Sequence, residues 1–254
     1  MKKLIVDTYL LGKNELLIQV RNPLWLLFGL FQPIVYLVLF APFLTGIAHT
    51  PGFPTGNAIQ FFAPGLLILN ALFNGAFAGF GLIDKLRSGF LERIRVTPVS
   101  RLAIVLGFVL RNSVVLIVQS AVLLLTALLF GLHLDPVGTL MVAVLMMLIG
   151  ITMSSLSYAI ALLVKDEGTL AAVTNFFTLP LMILSGVMLP VAFAPATIRT
   201  IAKFDPFSYA VDAARSLLNG VPSDPSVPQA FALFSVLGVT ALWSFIKAMR
   251  EAVA

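Results

Sequence analysis

The residues best suited to chemistry in this 254-residue sequence are neutral and polar, and they sit inside long apolar runs. Asn70 and Asn74 fall in one run, Thr152, Ser154, Ser155, Ser157 and Tyr158 in another, and Thr174, Asn175 and Thr178 in a third. Facing lipid, such groups are costly, so they either line a transport path or hydrogen-bond between helices. Both readings stand on the sequence. Nucleophilic and metal chemistry find no support: there is no cysteine, His49 and His133 lie far apart in loops, and H-E-x-x-H is absent. No acidic residue falls well inside an apolar run, which argues against a channel or ion-coupled transporter. A phosphate-cradling G-x-x-x-x-G-K-S/T is missing too, since Gly12-Lys13-Asn14 lacks both the loop glycine and the hydroxyl. The expectation is a protein that is not an enzyme, holds no metal or cofactor, and binds no ATP itself.

Long hydrophobic segments must carry those polar groups. Hydrophobic residues make up 59% of the chain and charged ones 11%, with mean hydropathy +1.04. A soluble domain carries roughly 25% charged residues. Apolar runs of about 18 residues or more read as spanning helices. They predict six, at 24–47, 61–83, 104–130, 137–164, 169–190 and 229–249, within a single domain covering residues 1–254. Residues 1–23 mix apolar and charged positions and predict an interfacial helix bound to membrane lipid, with Pro23 opening the first span. A cleaved signal peptide is not expected, because this stretch is charged throughout. The six prolines of 190–228 interrupt that region, yet PATIRTIAKF and FSYAVDAARSLL each read as a short amphipathic helix.

Net charge +5 and a pI near 9.7 invite a nucleic-acid reading, but the cations flank the spans and no nucleic acid is expected. Thirteen Lys and Arg fall on the side of the termini, and three, Arg199, Lys203 and Arg215, on the other. That asymmetry predicts both termini in the cytoplasm of a multi-pass cell-membrane protein, read here as bacterial. Gly75 and Gly79 form a G-x-x-x-G that brings two helices close, within one subunit or between two. The 21 Phe and the Met146–Met147 pair suit either lipid contact or hydrophobic ligands.

The most informative stretch is DKLRSGFLERIRVTPVSR, residues 84–101, directly after the second span. Phe90, Leu91, Ile94 and Val96 offer an apolar face while Arg87, Glu92, Arg93 and Arg95 point away from it. A short helix of that kind either docks into a cleft on a cytosolic partner or is an ordinary basic loop.

Here the chain resembles a known family. Gly89, Leu91, Glu92, Arg93, Thr97, Pro98, Val99, Ser100 and Arg101 match the cytoplasmic pattern E-R-x-x-G-x-L-E-x-L-x-x-T-P-V-S-R of ABC-2-type ABC transporter permeases, departing from it at 84–88. Arg21-Asn22-Pro23 resembles the motif that leads into the family's first span. Leu184-Ser185-Gly186 with Leu189-Pro190 resembles the close of its fifth. Asp205, Pro206 and Tyr209, with Arg215 following, resemble an external N-P-L-T-Y…R motif, with Asp205 in place of the Asn. The flavour is closest to the permeases of daunorubicin-resistance-type drug exporters.

The resemblance implies an all-α integral membrane fold: six transmembrane helices, an N-terminal interfacial helix, a cytoplasmic coupling helix, and short external helices before the last span. It implies that Gly89, Leu91, Glu92, Arg93, Thr97 and Pro98 couple to a separate ABC ATP-binding subunit, present in two copies, which holds the ATP and Mg. A second permease, identical or related, would complete the pair. The substrate class is open between lipophilic drugs or natural products, for multidrug efflux and antibiotic resistance, and a lipid or lipid-linked polysaccharide. Asn70, Asn74, Ser154, Ser155, Tyr158, Asn175 and Thr178 remain the candidates for its path.

Overall fold

The computed structural model describes residues 2–21, 31, 34–39, 58–89, 99–187 and 195–253. Among them every regular element is an α-helix. Hydrocarbon offers the backbone no hydrogen-bond partners, and a helix satisfies its own donors and acceptors within one segment. In chain order they are α1 (Lys2–Val20), α2 (Ala58–Ala76), α3 (Ala78–Arg87), α4 (Arg101–Leu129), α5 (Pro136–Val164), α6 (Glu167–Leu184), α7 (Ala196–Ala202), α8 (Pro206–Leu218) and α9 (Ser226–Val253).

Among the described residues five stretches are long and apolar enough to cross a membrane: Ile59–Arg87, Arg101–Leu129, Pro136–Val164, Glu167–Leu184 and Ser226–Ala252. They correspond to the last five expected spans. The first expected span, 24–47, lies mostly outside the described residues, although 34–39 are helical. The two short helices expected before the last span are α7 and α8.

Polar caps set where the helices begin. Ser100 Oγ accepts the Ala103 N–H at 3.1 Å to open α4. Asp135 accepts the Gly138 N–H at 2.6 Å ahead of Pro136, and Asp166 accepts the Thr169 N–H at 2.7 Å. Each side chain satisfies a donor that the first helical turn leaves free. Lys165, in the left-handed region at φ 54, stops α5 and lets α6 turn back within two residues.

The helix α5 is the axis of the bundle, packed against α2, α3, α4, α8 and α9, while α1 lies along α4. Buried apolar side chains separate into two cores. One gathers Leu67 and Leu72 of α2, Leu116 and Leu123 of α4, Ile149 of α5, and Phe234 of α9. The other gathers Leu82 of α3, Phe108 of α4, Tyr158 and Leu162 of α5, and Phe245 of α9. Asn112, Thr152, Ser154, Ser155 and Ser157 are buried where α4 and α5 pass from one core to the other.

The helix α1 turns a polar side inward, with Glu15 buried and Thr8 and Gln19 half-buried. Its outward face carries Ile5, Tyr9, Leu10, Leu17 and Val20. Leu11 and Gly12 share the inward side, Leu11 packing on the second core, while Lys3 and Lys13 share the outward one.

Candidate functional site

Three groups of residues carry the expectations drawn from sequence, and the structure treats each differently. Of the expected coupling segment, Gly89 is described, while Leu91, Glu92, Arg93, Thr97 and Pro98 lie outside the described residues. Gly89 closes α3 with φ 76, a backbone angle that glycine adopts without a side-chain clash. The flanks of the segment contact three other helices. Lys85 donates to Glu15 of α1, and Arg87 pairs with Glu167 of α6 at 2.6 Å. Arg101, at the start of α4, donates to the Arg250 carbonyl of α9 at 3.2 Å. Glu15 is 8% exposed, so its pair is desolvated; the Arg87 pair is half-exposed and contributes roughly 0–1 kcal/mol. Next to them, Arg111 Nε donates to Gln19 Oε1 at 2.9 Å, so a cation inside the apolar run 102–130 is matched by α1.

The seven path candidates do not form one lining. Asn70, Ser154, Ser155, Tyr158 and Thr178 are buried, and Asn74 is half-buried. Asn74 Nδ2 donates to Gln119 Oε1 of α4 at 2.8 Å. Tyr158 is enclosed by Phe108 and Phe245, with ring centroids at 5.5 and 5.0 Å. Asn175 alone is exposed, on the outer face of α6 beside Phe176 and Phe177. Asn70 Nδ2, Ser155 Oγ and the Tyr158 hydroxyl have no hydrogen-bond partner among the described residues.

Two amides missing from those candidates belong with them. Gln119 and Asn112 lie on the inward face of α4, both buried. The signal was present as two amides within an apolar run, as in the second span.

At the far end of the bundle, Asp205 caps α8, accepting the Phe207 N–H at 2.9 Å ahead of Pro206. Burial pushes its carboxyl up to about 6, with the Phe207 bond opposing. Tyr209 donates its hydroxyl to the Lys203 carbonyl at 3.0 Å, fixing α8 to the end of α7. Arg215 is the junction. Its Nε donates to the Phe61 carbonyl of α2 at 3.2 Å and its Nη2 to the Gly186 carbonyl beyond α6 at 2.7 Å. The guanidinium lies 3.7 Å from the Phe61 ring centroid, a cation–π geometry. Burial lowers its pKa to about 10, so it stays charged at neutral pH. Asp212, 3.5 Å away and largely exposed, pairs with it; Asp205 does not.

The family model for the ABC-2 type transporter matches residues 7–219, from α1 to the end of α8. The chain belongs to the ABC-2 transporter family. It is similar to "Putative transport permease ycf38" of Cyanophora paradoxa, 29% identical over 84% of this chain and 74% of that protein. The proteins of the same name from Pyropia yezoensis and Porphyra purpurea are 28% and 25% identical, over 82% and 80% of this chain and 72% and 70% of theirs. These relatives are algal and lend nothing to the expectation of a bacterial cell membrane. As an ABC-2 chain with five described membrane-spanning stretches, it is a multi-pass transport permease subunit. In this permease the matched stretch takes in both the braced flanks of 84–101 and the Arg215 junction, while α9 lies beyond it.

Proposed function

We propose that this permease is the transmembrane half of an ATP-driven exporter of lipophilic drugs or natural products. Two ABC ATP-binding subunits, which hold the ATP and Mg, would dock on residues 84–101 of two paired permeases. Both termini would lie in the cytoplasm, as the Lys and Arg distribution supports. One observation carries the reading: the ABC-2 pattern from Gly89 to Arg101 falls on a stretch whose flanks are tied to α1, α6 and α9. Through those ties a push at either flank would reach the bundle. The bare outer face of α6, with Asn175 on it, is the surface through which a second permease or the substrate would be met.

A pull-down of the ATPase and substrate-stimulated hydrolysis in proteoliposomes test the docking. Removing one member of a desolvated charge pair costs about 2–5 kcal/mol. Glu92→Ala is therefore expected to weaken assembly or uncouple hydrolysis from transport. Glu251→Ala, on the exposed end of α9, is expected to leave both unchanged. Wild-type assembly and transport in both Glu92→Ala and Leu91→Asp would show that this segment does not couple.

A further inference from the structure

The span 59–87 is broken. Phe77, with φ −91 and ψ 0, separates α2 from α3, and the Phe80 N–H turns to the Phe77 carbonyl at 3.3 Å instead of reaching the Ala76 carbonyl. An uninterrupted helix would also send the Gly79 N–H to the Gly75 carbonyl. Inside a membrane both freed groups must find partners. Ser157 of α5 supplies both: its hydroxyl donates to the Ala76 carbonyl at 2.5 Å and accepts the Gly79 N–H at 2.9 Å. The contact tolerates no side chain at position 79, where a Cβ would lie 2.6 Å from the Ser157 carbonyl oxygen.

The place of this break is informative. It falls where the two apolar cores meet, so α2 belongs to one core and α3 to the other. The tip of α3 is anchored separately, by Lys85 on Glu15 and Arg87 on Glu167. Between foot and tip, α3 is a ten-residue rod that leads toward residues 90–98.

We infer that Ser157 is a positioning residue for transport: by closing the α2–α3 break it sets the angle at which α3 leaves the bundle. The link from that angle to transport rests on residues 84–101 being the coupling segment. The hold on α3 itself does not.

The chain has no cysteine, so spin labels can be placed cleanly on Asp84→Cys of α3 and Val239→Cys of α9, both exposed. The full chain in lipid nanodiscs gives their separation by pulsed electron resonance. From its foot to Asp84 the rod rises about 9 Å, so a tilt of about 20° at the foot moves the labelled position by about 3 Å. Ser157→Ala is expected to shift or broaden the distance by that amount, and Ser157→Thr, which keeps the hydroxyl, to hold it. Gly79→Ala, which pushes on the same contact from the other side, is expected to shift it as Ser157→Ala does. A wild-type distance in Ser157→Ala overturns the inference; if that variant fails to fold, a wild-type distance in Gly79→Ala does so. In the complex with the ATPase, substrate-stimulated hydrolysis is expected to fall roughly tenfold in Ser157→Ala, which loses both of the hydroxyl's hydrogen bonds. Undiminished stimulation despite a shifted distance overturns the role in transport. A shifted distance in a chain that captures no ATPase supports the hold on α3 and removes the coupling reading of 84–101 instead.

Discussion

The span 59–87 and the helix α6 are both apolar enough to cross a membrane, yet their surroundings differ sharply. Of the most apolar stretch of each, 72% is buried in the first and 17% in the second. The first is also the more apolar of the two, and it differs in what its side chains meet. The first span brings Gly75, Ala76, Ala78 and Gly79 against α5, and every one is buried. The second turns Phe176, Phe177, Leu179 and Ile183 outward, with Leu170, Thr174 and Thr178 buried and Leu181 and Met182 partly buried against the first core. Lipid tails are as apolar as leucine, so helices associate where small residues let backbones approach closely, not wherever they are oily. A span rich in such residues finds a partner inside the subunit. The helix α6 has small residues too, but Ala172 is exposed and its outward side carries Phe176, Phe177 and Ile183.

The largest effect expected from this contrast is at Gly75, where an added Cβ would collide with the Met153 Cβ. Gly75→Leu is expected to lower stability by about 3 kcal/mol or more, since packing extra atoms into a filled core forces the backbone apart. Ala172→Leu, at an exposed position of α6, is expected to change it by less than about 0.5 kcal/mol. Thermal unfolding of the two variants in one detergent reads the difference. Equal midpoints would mean that the two regions are packed alike.

Much of the fold could be read from the sequence because lipid imposes a simple rule, a long apolar run per helix. That rule placed α4, α5 and α9, and the amphipathic pattern between prolines placed α7 and α8. It also located the polar residues inside the runs, but not their neighbours. Asn74 and Gln119 are 45 positions apart and meet only because α2 and α4 flank the same axis. The break at Phe77 was equally hidden, because its missing bonds are made by Ser157, 78 to 81 positions away. Nor did the cation Arg215 announce that its guanidinium would serve two backbone carbonyls in place of a lone acidic partner. Periodicity reports which elements form; these contacts depend on how the elements are arranged.

A smaller effect is expected at α8, which lies between the two extremes and holds the start of α2 to the end of α6 through Arg215. Its cap, Asp205, is 3% exposed, and burial raises its carboxyl pKa to about 6 from an ordinary 3.8. The folded chain thus holds that proton more tightly than the unfolded chain does. The stability this contributes is fully present below about pH 4 and is lost as the pH rises through about 6. Asn caps as well as Asp and carries no charge to desolvate. Asp205→Asn is expected to flatten the dependence between pH 4 and 6 and to gain on the order of 1 kcal/mol at pH 7.5. Unfolding midpoints across that range check it. A wild-type slope in the variant would place the titration elsewhere.

The smallest expected effect on the fold is the one that bears most on transport. Asn175 lies exposed on α6 beside Phe176 and Phe177, which are 73% and 60% exposed. Pro180 lies on the same helix; it has no N–H to give the Phe176 carbonyl, so the backbone there lacks a helical bond. An amide and a carbonyl deprived of its i+4 donor are poor company for lipid tails. If nothing in the subunit engages Asn175, then Asn175→Leu should change the unfolding midpoint of the isolated chain by less than the equivalent of about 0.5 kcal/mol. A drop of more than about 1 kcal/mol would mean that the amide has a partner within its own subunit, and the contrast between α6 and the 59–87 span would fail. Transport in proteoliposomes supplies the second reading. An amide that meets the substrate or a second permease is lost in this variant, so uptake should fall while the chain stays folded. Undiminished transport would return α6 to plain lipid contact and leave the path to be sought elsewhere, beginning with the buried amides of α2 and α4.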